Sequence, residues 1–285
     1  MGRLVSYIKD HIPLVSRYRR TIKTLKRRLQ DHDDNYTKLM NALLNQRSLF
    51  LNAGCYRVPV VRDPVPLPKI GDQLDSSLQA IHNLAPKTLE QWAKCQQAGE
   101  IEYEKCPVHN CSISGRECVN RYKGFIVPYL SGRVLDIGCG PLPVPDYLTG
   151  YPTELIAGID PIAAPHPFAF CRGIAEFLPW EDQVFDTVLV ATSLDHVILL
   201  DKVLEEVRRV LIPGGLFLVW ASFLRGSKKY DPYAFDVKAI DKYHLFHLDR
   251  SWFEELVGNY FSNIEVIEVY HDLHYSDCFY ALKPN

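Results

Sequence analysis

A glycine-containing turn and an acidic residue farther along the chain are the strongest chemical signals in this sequence. Residues 134–140 read Val-Leu-Asp-Ile-Gly-Cys-Gly, so a short apolar run ends in a turn that contains Gly138 and Gly140. Glycine lets backbone N–H groups approach a ligand because it has no side chain. Asp160 lies 20 positions after Gly140, at the end of the next apolar run. A carboxylate there can accept hydrogen bonds from ribose hydroxyls, so the pair predicts a nucleotide-type site.

A dinucleotide site with the G-x-G-x-x-G pattern is the competing interpretation of this turn. The third glycine of that pattern would fall at Pro143. That position packs helix against strand and requires a small residue. The sequence therefore argues against a dinucleotide site.

The motifs around the turn resemble those of class I S-adenosylmethionine-dependent methyltransferases, in particular the methyltransferase type 11 kind. The resemblance is strong over roughly residues 133–224, and its motifs follow the family's order. It implies a doubly wound α/β fold with a seven-stranded, mostly parallel sheet, and S-adenosylmethionine as the cofactor. The motifs are Asp136–Gly140, Asp160, Ala175–Trp180, Phe185–Val188 and Arg209–Gly215.

The resemblance also assigns cofactor-binding roles. Asp136 is expected near the amino group of the methionine part, and Asp160 is expected to hold the ribose. Pro161 and Ile162 are expected on the adenine face, the backbone around Ala175 and Glu176 at the adenine edge, and Thr192 beside the cofactor. Two positions depart from the family pattern, because Ile174 replaces a frequent acidic residue and Leu142 a frequent glycine. The predicted cofactor-binding residues are Asp136, Gly138, Cys139, Gly140, Asp160, Pro161, Ile162, Ala175, Glu176 and Thr192.

His196 is the predicted catalytic residue. It follows the fourth predicted strand, at the sheet edge where reacting groups lie in doubly wound proteins. An imidazole of near-neutral pKa can take a proton from an acceptor hydroxyl, although a structural histidine would fit the same position. Tyr230, His244 and His247, in the insertion after the fifth strand, are predicted to bind the acceptor.

We assign no metal ligands from the sequence. His244 and His247 form only half of a possible site, without a partner at a fixed spacing. A loop with Cys106, His109, Cys111 and Cys118 lacks a C-x-x-C hook, so free thiols are the preferred interpretation.

Four segments are predicted along the chain. Residues 1–55 are a basic helical arm, 56–75 a proline-rich linker, 76–125 a helical cap with the cysteine-containing loop, and 126–285 the methyltransferase domain. The arm has apolar residues at alternating steps of three and four, typical of a heptad seam. This spacing predicts either a coiled coil that makes a homo-oligomer or an amphipathic helix folded onto its own domain. The seam is Ile22, Leu25, Leu29, His32, Tyr36, Leu39 and Leu43.

Charge is divided unevenly along the chain. Residues 1–30 carry nine Lys or Arg and one Asp, a net +8, which leaves −10 for the remainder of a chain with net charge −2. The basic arm suits a solvated helix face or peripheral contact with an anionic membrane. Nucleic acid is not expected as a partner, because the body is acidic. Without an apolar run of about 18 residues or a signal-type start, we expect a cytoplasmic protein, with peripheral contact at the inner face of a membrane as the alternative.

The predicted reaction is methyl transfer to an oxygen of a glycan, a lipid-linked sugar or a polar small metabolite. Two alternatives remain open: methylation of a quinone or lipid carbon or of RNA, and a catalytically silent scaffold that oligomerises through its coiled coil. The donor is easier to identify than the acceptor, because an activated sulfonium requires the protein mainly to align the two reactants.

Overall fold

The computed structural model describes residues 13–52, 63–106, 116–162, 164–226, 229–233, 242–270 and 275–285, with side chains omitted for 13–19 and 49–52. The chain forms two compact units, Met1–Ala42 and Leu43–Asn285. His109 and Cys111 of the cysteine-containing loop and residues 56–62 of the proposed linker lie outside the described residues. The four-segment division from the sequence stays a prediction.

A seven-stranded sheet with the order β3-β2-β1-β4-β5-β7-β6 forms the centre of the second unit. The first five strands pair in parallel, and β7 runs antiparallel to both β5 and β6. The predicted doubly wound, mostly parallel sheet is confirmed. The strands are β1 Val134–Ile137, β2 Ile156–Asp160, β3 Ala169–Arg172, β4 Phe185–Ala191, β5 Leu211–Leu224, β6 Phe261–Tyr270 and β7 Tyr275–Pro284.

The sequence indicates no residue range for the short strand β3. It has four residues, of which only Cys171 is buried, so its apolar pattern is weak. Parallel pairing with β2 holds it at the sheet edge, and its last residue, Arg172, also forms a parallel bridge with Asp72.

Six α-helices occur in the described residues. In α5 the apolar residues recur at steps of three and four and are all buried, because this spacing places them on one face. Helix α6 begins after Asp249, whose side chain accepts a hydrogen bond from the backbone N–H of Trp252 and so caps the helix. The helices are α1 Pro13–Asn52, α2 Leu74–His82, α3 Pro86–Lys105, α4 Glu117–Ile126, α5 Leu200–Val210 and α6 Arg250–Gly258.

The register of the parallel strands brings the predicted motifs to one edge. Ile137 of β1 lies opposite Ile159 of β2 and Val190 of β4. The three strands therefore end at the same level, and the chain segments that follow them meet there. Parallel sheets bind ligands at this carboxyl edge.

Helix α1 contains the predicted heptad seam. Its apolar residues Ile22, Leu25, Leu29 and Leu39 are exposed. Coiled-coil assembly, in which a second copy of the chain would cover this seam, stays a prediction. Among the helices of the described residues, none is both long and apolar enough to cross a membrane.

Candidate functional site

A cavity of about 630 Å³ opens at the carboxyl edge of the sheet, a volume within the range of small-molecule sites. The cavity is lined by the ends of β1, β2, β4 and β5, by the first residues of β7, by α3 and by the loop before α6. Of the predicted site residues, the cavity is lined by Gly138, Gly140, Asp160, Pro161, Ile162, Ala175, Glu176, Thr192, His196, His244 and His247.

The turn after β1 depends on glycine at two positions. Gly138 and Gly140 have φ angles of +75° and +69°, which side chains rarely allow. A Cβ atom on Gly138 would lie 2.4 Å from Oγ of Ser193, the residue that closes over the turn from β4. The Gly138 N–H donates to the carbonyl of Ile159 at 2.8 Å, which ties the turn to β2. Because neither glycine has a side chain, the backbone of the turn is accessible from the cavity.

The Asp160 carboxylate connects the turn to the end of β2. Its Oδ2 accepts a hydrogen bond from the Gly140 N–H and its Oδ1 from the Ile162 N–H, both at 2.8 Å. Burial raises the pKa of Asp160 to about 6, and the two N–H donors oppose that shift. Each carboxylate oxygen can accept a second hydrogen bond, so Asp160 retains capacity for a ligand's hydroxyl groups.

Glu176 lines the cavity, yet its side chain has a structural function that the sequence did not indicate. Its Oε1 accepts hydrogen bonds from the backbone N–H groups of Ile198 and Leu199, at 2.6 and 3.0 Å, just before α5. Burial raises the pKa of Glu176, and these N–H donors oppose the shift. Glu176 Oε1 is therefore engaged in hydrogen bonds within the protein.

Three predicted site residues are not part of the cavity lining. Asp136 is completely buried and accepts a hydrogen bond from the Tyr147 hydroxyl, at 3.0 Å to Oδ2. Its burial raises the pKa of the Asp136 carboxyl to about 8. Cys139 is buried on the β2 side, close to Gly158, so its side chain fills space behind the turn. Tyr230 donates its hydroxyl hydrogen to the carbonyl of His247 and so supports the loop.

A cluster of Asp195, His196 and His244 lies at the end of β4. His196 Nε2 lies 3.7 Å from Asp195 Oδ1, and His244 Nε2 lies 3.9 Å from Asp195 Oδ2. The two imidazole rings are 4.9 Å apart between centroids, with 38° between their planes. The Phe246 N–H faces the Asp195 carbonyl at 3.5 Å, where the loop before α6 meets β4. Sequence reasoning identified both histidines but did not associate either with Asp195.

A second polar pair was missed entirely. Ser222 of β5 donates a hydrogen bond to the buried carboxylate of Asp277 at 2.7 Å, and both residues line the cavity. They are direct partners in the antiparallel pairing of β5 with β7. Their separation of 55 residues leaves no local sequence signal.

Helix α3 supplies one wall of the cavity. Trp92, Cys95, Gly99 and Glu102 follow helical spacing and all line the cavity. The Tyr243 hydroxyl donates to the Glu102 carboxylate at 3.2 Å, so the loop before α6 and the helix meet above the sheet edge.

The β1–β2 side has the donor set that an adenosyl cofactor requires. The Gly138–Gly140 backbone leaves space beside the turn, and Asp160 provides carboxylate oxygens at the position for ribose hydroxyls. Ile162 and Ala175 offer apolar surface for a purine ring. The residues present therefore fit S-adenosylmethionine.

Residues 135–219 match the model of the family described as a methyltransferase domain. Sterol 4-C-methyltransferase strm-1 of Caenorhabditis elegans is 37% identical over 99 residues, which are 30% of each protein. The ubiquinone/menaquinone biosynthesis C-methyltransferase UbiE of Bordetella avium is 47% identical over 75 residues, 25% of this chain and 28% of that protein. The matched region spans less than a third of the length of these relatives.

A similar fold occurs in the crystal structure of Burkholderia thailandensis 1,6-didemethyltoxoflavin-N1-methyltransferase, which holds 1,6-didemethyltoxoflavin and S-adenosylhomocysteine. The TM-score is 0.51 with 17% sequence identity, and the match covers 69% of this chain and 90% of that one. At this identity the likeness establishes the fold.

Proposed function

From the premise that residues 135–219 form a class I S-adenosylmethionine-dependent methyltransferase domain, we propose that this protein methylates a hydroxyl oxygen of a polar acceptor. The acceptor class is a glycan, a lipid-linked sugar or a polar small metabolite. One observation carries the proposal: a single cavity contains both the Gly138–Asp160 edge and the Asp195–His196–His244 cluster.

The β1–β2 side of the cavity is the proposed cofactor site. When bound, S-adenosylmethionine supplies a methyl group that its sulfonium already activates. Asp160 accepts hydrogen bonds from the ribose hydroxyls, and the turn at Gly138 and Gly140 lets the backbone contact the methionine part. Ile162 packs on the adenine ring. These residues would bind and orient the cofactor, and alignment of donor and acceptor is most of what the reaction requires of the protein.

The Asp195–His196–His244 cluster is the proposed proton-handling group. His196 Nε2 takes the proton of the acceptor hydroxyl, and the Asp195 carboxylate 3.7 Å away stabilises the imidazolium that forms. The cluster is half-buried and faces the cavity, so an acceptor can reach it.

The polar side chains around the cluster support a hydroxylated acceptor. The buried carboxylate of Asp277, held by Ser222, can accept a hydrogen bond from a second hydroxyl. His247 and Glu102 add polar contacts along the same wall. A buried carboxylate that meets only hydrocarbon would lose hydrogen bonds, which disfavours a purely apolar acceptor.

Carbon methylation of a quinone or lipid is the second candidate. It draws support from Trp92 and Trp220, which give the cavity large apolar surfaces. The two curated relatives above are C-methyltransferases by name. The two candidates differ in the acceptor's polarity, so extraction of labelled product separates them.

Assembly through α1 belongs to the same proposal. The exposed seam at Ile22, Leu25 and Leu29 supports a homo-oligomeric coiled coil, and the basic composition of residues 1–30 supports peripheral contact with anionic lipid.

Calorimetric titration of S-adenosylhomocysteine tests the cofactor site without knowledge of the acceptor. Asp160→Ala should weaken binding about 10–100-fold, because charge-assisted hydrogen bonds to the ribose contribute about 1.5–3 kcal/mol. Wild-type affinity should also fall as pH drops through about 6, where Asp160 becomes protonated. Asp63→Ala, at an exposed carboxylate, is the matched control.

Failure of the folded wild-type protein to bind S-adenosylhomocysteine would refute the enzymatic proposal and favour the scaffold. If it binds, transfer of labelled methyl groups from S-adenosylmethionine into a cell extract identifies the acceptor class. After removal of the labelled donor, label in the aqueous phase, or label that mild acid releases from the organic phase into water, supports the polar acceptor. Label that stays in the organic phase after mild acid supports carbon methylation of a lipid or quinone.

A further inference from the structure

The Asp195–His196–His244 cluster has a geometry that its role in proton transfer does not explain. The nearest nitrogen–oxygen distances of 3.7 and 3.9 Å exceed those of a hydrogen bond, about 3.2 Å at most. Asp195 Oδ1 is buried without a hydrogen-bond partner among the described residues. A buried carboxylate oxygen of this kind is stabilised when a proton donor or a cation lies beside it.

We propose that this cluster binds one divalent transition-metal cation, with Asp195, His196 and His244 as its protein ligands. One ligand atom from each residue lies within 4.8 Å of the other two. Nitrogen and oxygen ligands about 2.1 Å from a tetrahedral ion lie about 3.4 Å from one another. The 3.7 and 3.9 Å distances involve different oxygens of Asp195. Side-chain rotations that bring one Asp195 oxygen and the two imidazole nitrogens from within 4.8 Å to about 3.4 Å of one another would therefore complete the site.

The ligand types favour an ion such as Zn²⁺, Fe²⁺ or Mn²⁺ over Mg²⁺ or Ca²⁺. Two imidazoles and one carboxylate suit first-row transition metals, whereas Mg²⁺ and Ca²⁺ prefer all-oxygen sites. Three protein ligands leave at least one coordination position open, as in catalytic metal sites. All three residues line the cavity, so that position is accessible to an acceptor.

The three proposed ligands come from two chain segments that meet only in the folded protein. Asp195 and His196 belong to the 3-10 helix Leu194–His196 at the end of β4, where the His196 N–H donates to the Ser193 carbonyl. His244 comes from the loop before α6, near the Phe246–Asp195 backbone contact. Tyr230 further supports this loop through the His247 carbonyl.

This inference rests on the proposed function and specifies its acceptor. A hydroxyl oxygen bound to such a cation releases its proton to solvent more readily. When the ion is bound, His196 Nε2 is a ligand and cannot also take the proton, so the cation replaces the general-base role that the proposed function gives to His196. An acceptor with two neighbouring hydroxyls, such as a sugar diol, could occupy open positions on the ion while Asp277 receives a further hydroxyl.

Equilibrium dialysis of the chelator-treated, full-length protein against Zn²⁺ in the presence of excess Mg²⁺ tests the site. The wild type should retain one Zn²⁺ per chain. Asp195→Asn and His244→Ala should each weaken binding at least about 100-fold, because loss of an outer-shell partner alone costs about 10–100-fold. His82→Ala removes an exposed imidazole at the end of α2 and is the matched control.

Unchanged Zn²⁺ retention in both Asp195→Asn and His244→Ala would overturn the metal site, as would displacement of the ion by Mg²⁺. Circular dichroism establishes that each variant is folded. Calorimetry with S-adenosylhomocysteine on the same samples separates this proposal from the methyltransferase function. Cofactor binding without stoichiometric Zn²⁺ overturns the metal site alone, and Zn²⁺ retention without cofactor binding overturns the enzymatic function on which the acceptor assignment rests.

Discussion

Replacing Asp136 by asparagine should reduce the loss of stability that this protein undergoes as pH rises. Asp136 is completely buried, and burial raises the pKa of its carboxyl to about 8 in the folded state. In the unfolded chain an aspartate titrates near 3.9. The folded state therefore favours the protonated carboxyl, and its contribution to stability is complete below about pH 4 and declines as pH rises toward 8.

The magnitude follows from the difference between the two pKa values. Between these values the free energy of unfolding falls by about 1.4 kcal/mol per pH unit because of this one group. At pH 7 the carboxyl costs roughly 4 kcal/mol relative to a neutral side chain of the same shape. The amide introduced by Asp136→Asn cannot ionise, so this pH-dependent cost disappears. Any unsatisfied amide hydrogen would cost about 1–3 kcal/mol at every pH.

Urea unfolding followed by tryptophan fluorescence at pH 5, 6 and 7 measures the effect. The difference in unfolding free energy between Asp136→Asn and wild type should grow by about 3 kcal/mol over these two pH units. The exposed carboxylate of Asp63 provides the control, and Asp63→Asn should show no such increase. A difference for Asp136→Asn that stays constant from pH 5 to 7 would refute the reasoning, whatever its absolute size.

Two further predictions concern catalysis and assembly. His196→Ala should lower the rate of methyl transfer by about 10²–10⁴-fold with unchanged affinity for S-adenosylhomocysteine, measured against His82→Ala; a matching loss of affinity would place His196 in the cofactor site instead. Leu25→Glu combined with Leu29→Glu should lower the mass in light scattering, because charges at seam positions destabilise a coiled coil; an unchanged mass would exclude assembly through this seam.

The sequence predicted the proposed cofactor side of the cavity because its signals there are local. The turn at Gly138 and Gly140 and the carboxylate of Asp160 each follow an apolar run directly. Parallel pairing then brings the ends of these strands together, because parallel strands share one carboxyl edge. The observed sheet order confirms this part of the prediction.

The sequence did not predict where side chains point, even within these motifs. Asp136 and Glu176 belong to motifs of the family, yet Asp136 lies beneath the turn against Tyr147, and Glu176 binds the backbone before α5. Both orientations follow from burial, because a carboxylate removed from water requires donors and takes the nearest ones. Those donors are set by packing and cannot be found in the motif itself.

On the proposed acceptor side the sequence predicted His196 and His244, but tertiary structure alone decided which residues meet there. His196 and His244 are 48 residues apart, and only the approach of the loop before α6 to the end of β4 brings both to Asp195. Ser222 and Asp277 meet because the antiparallel register of β5 and β7 places them opposite each other. A strand position specifies its cross-strand partner only after the register is established, so no spacing along the chain could reveal these pairs.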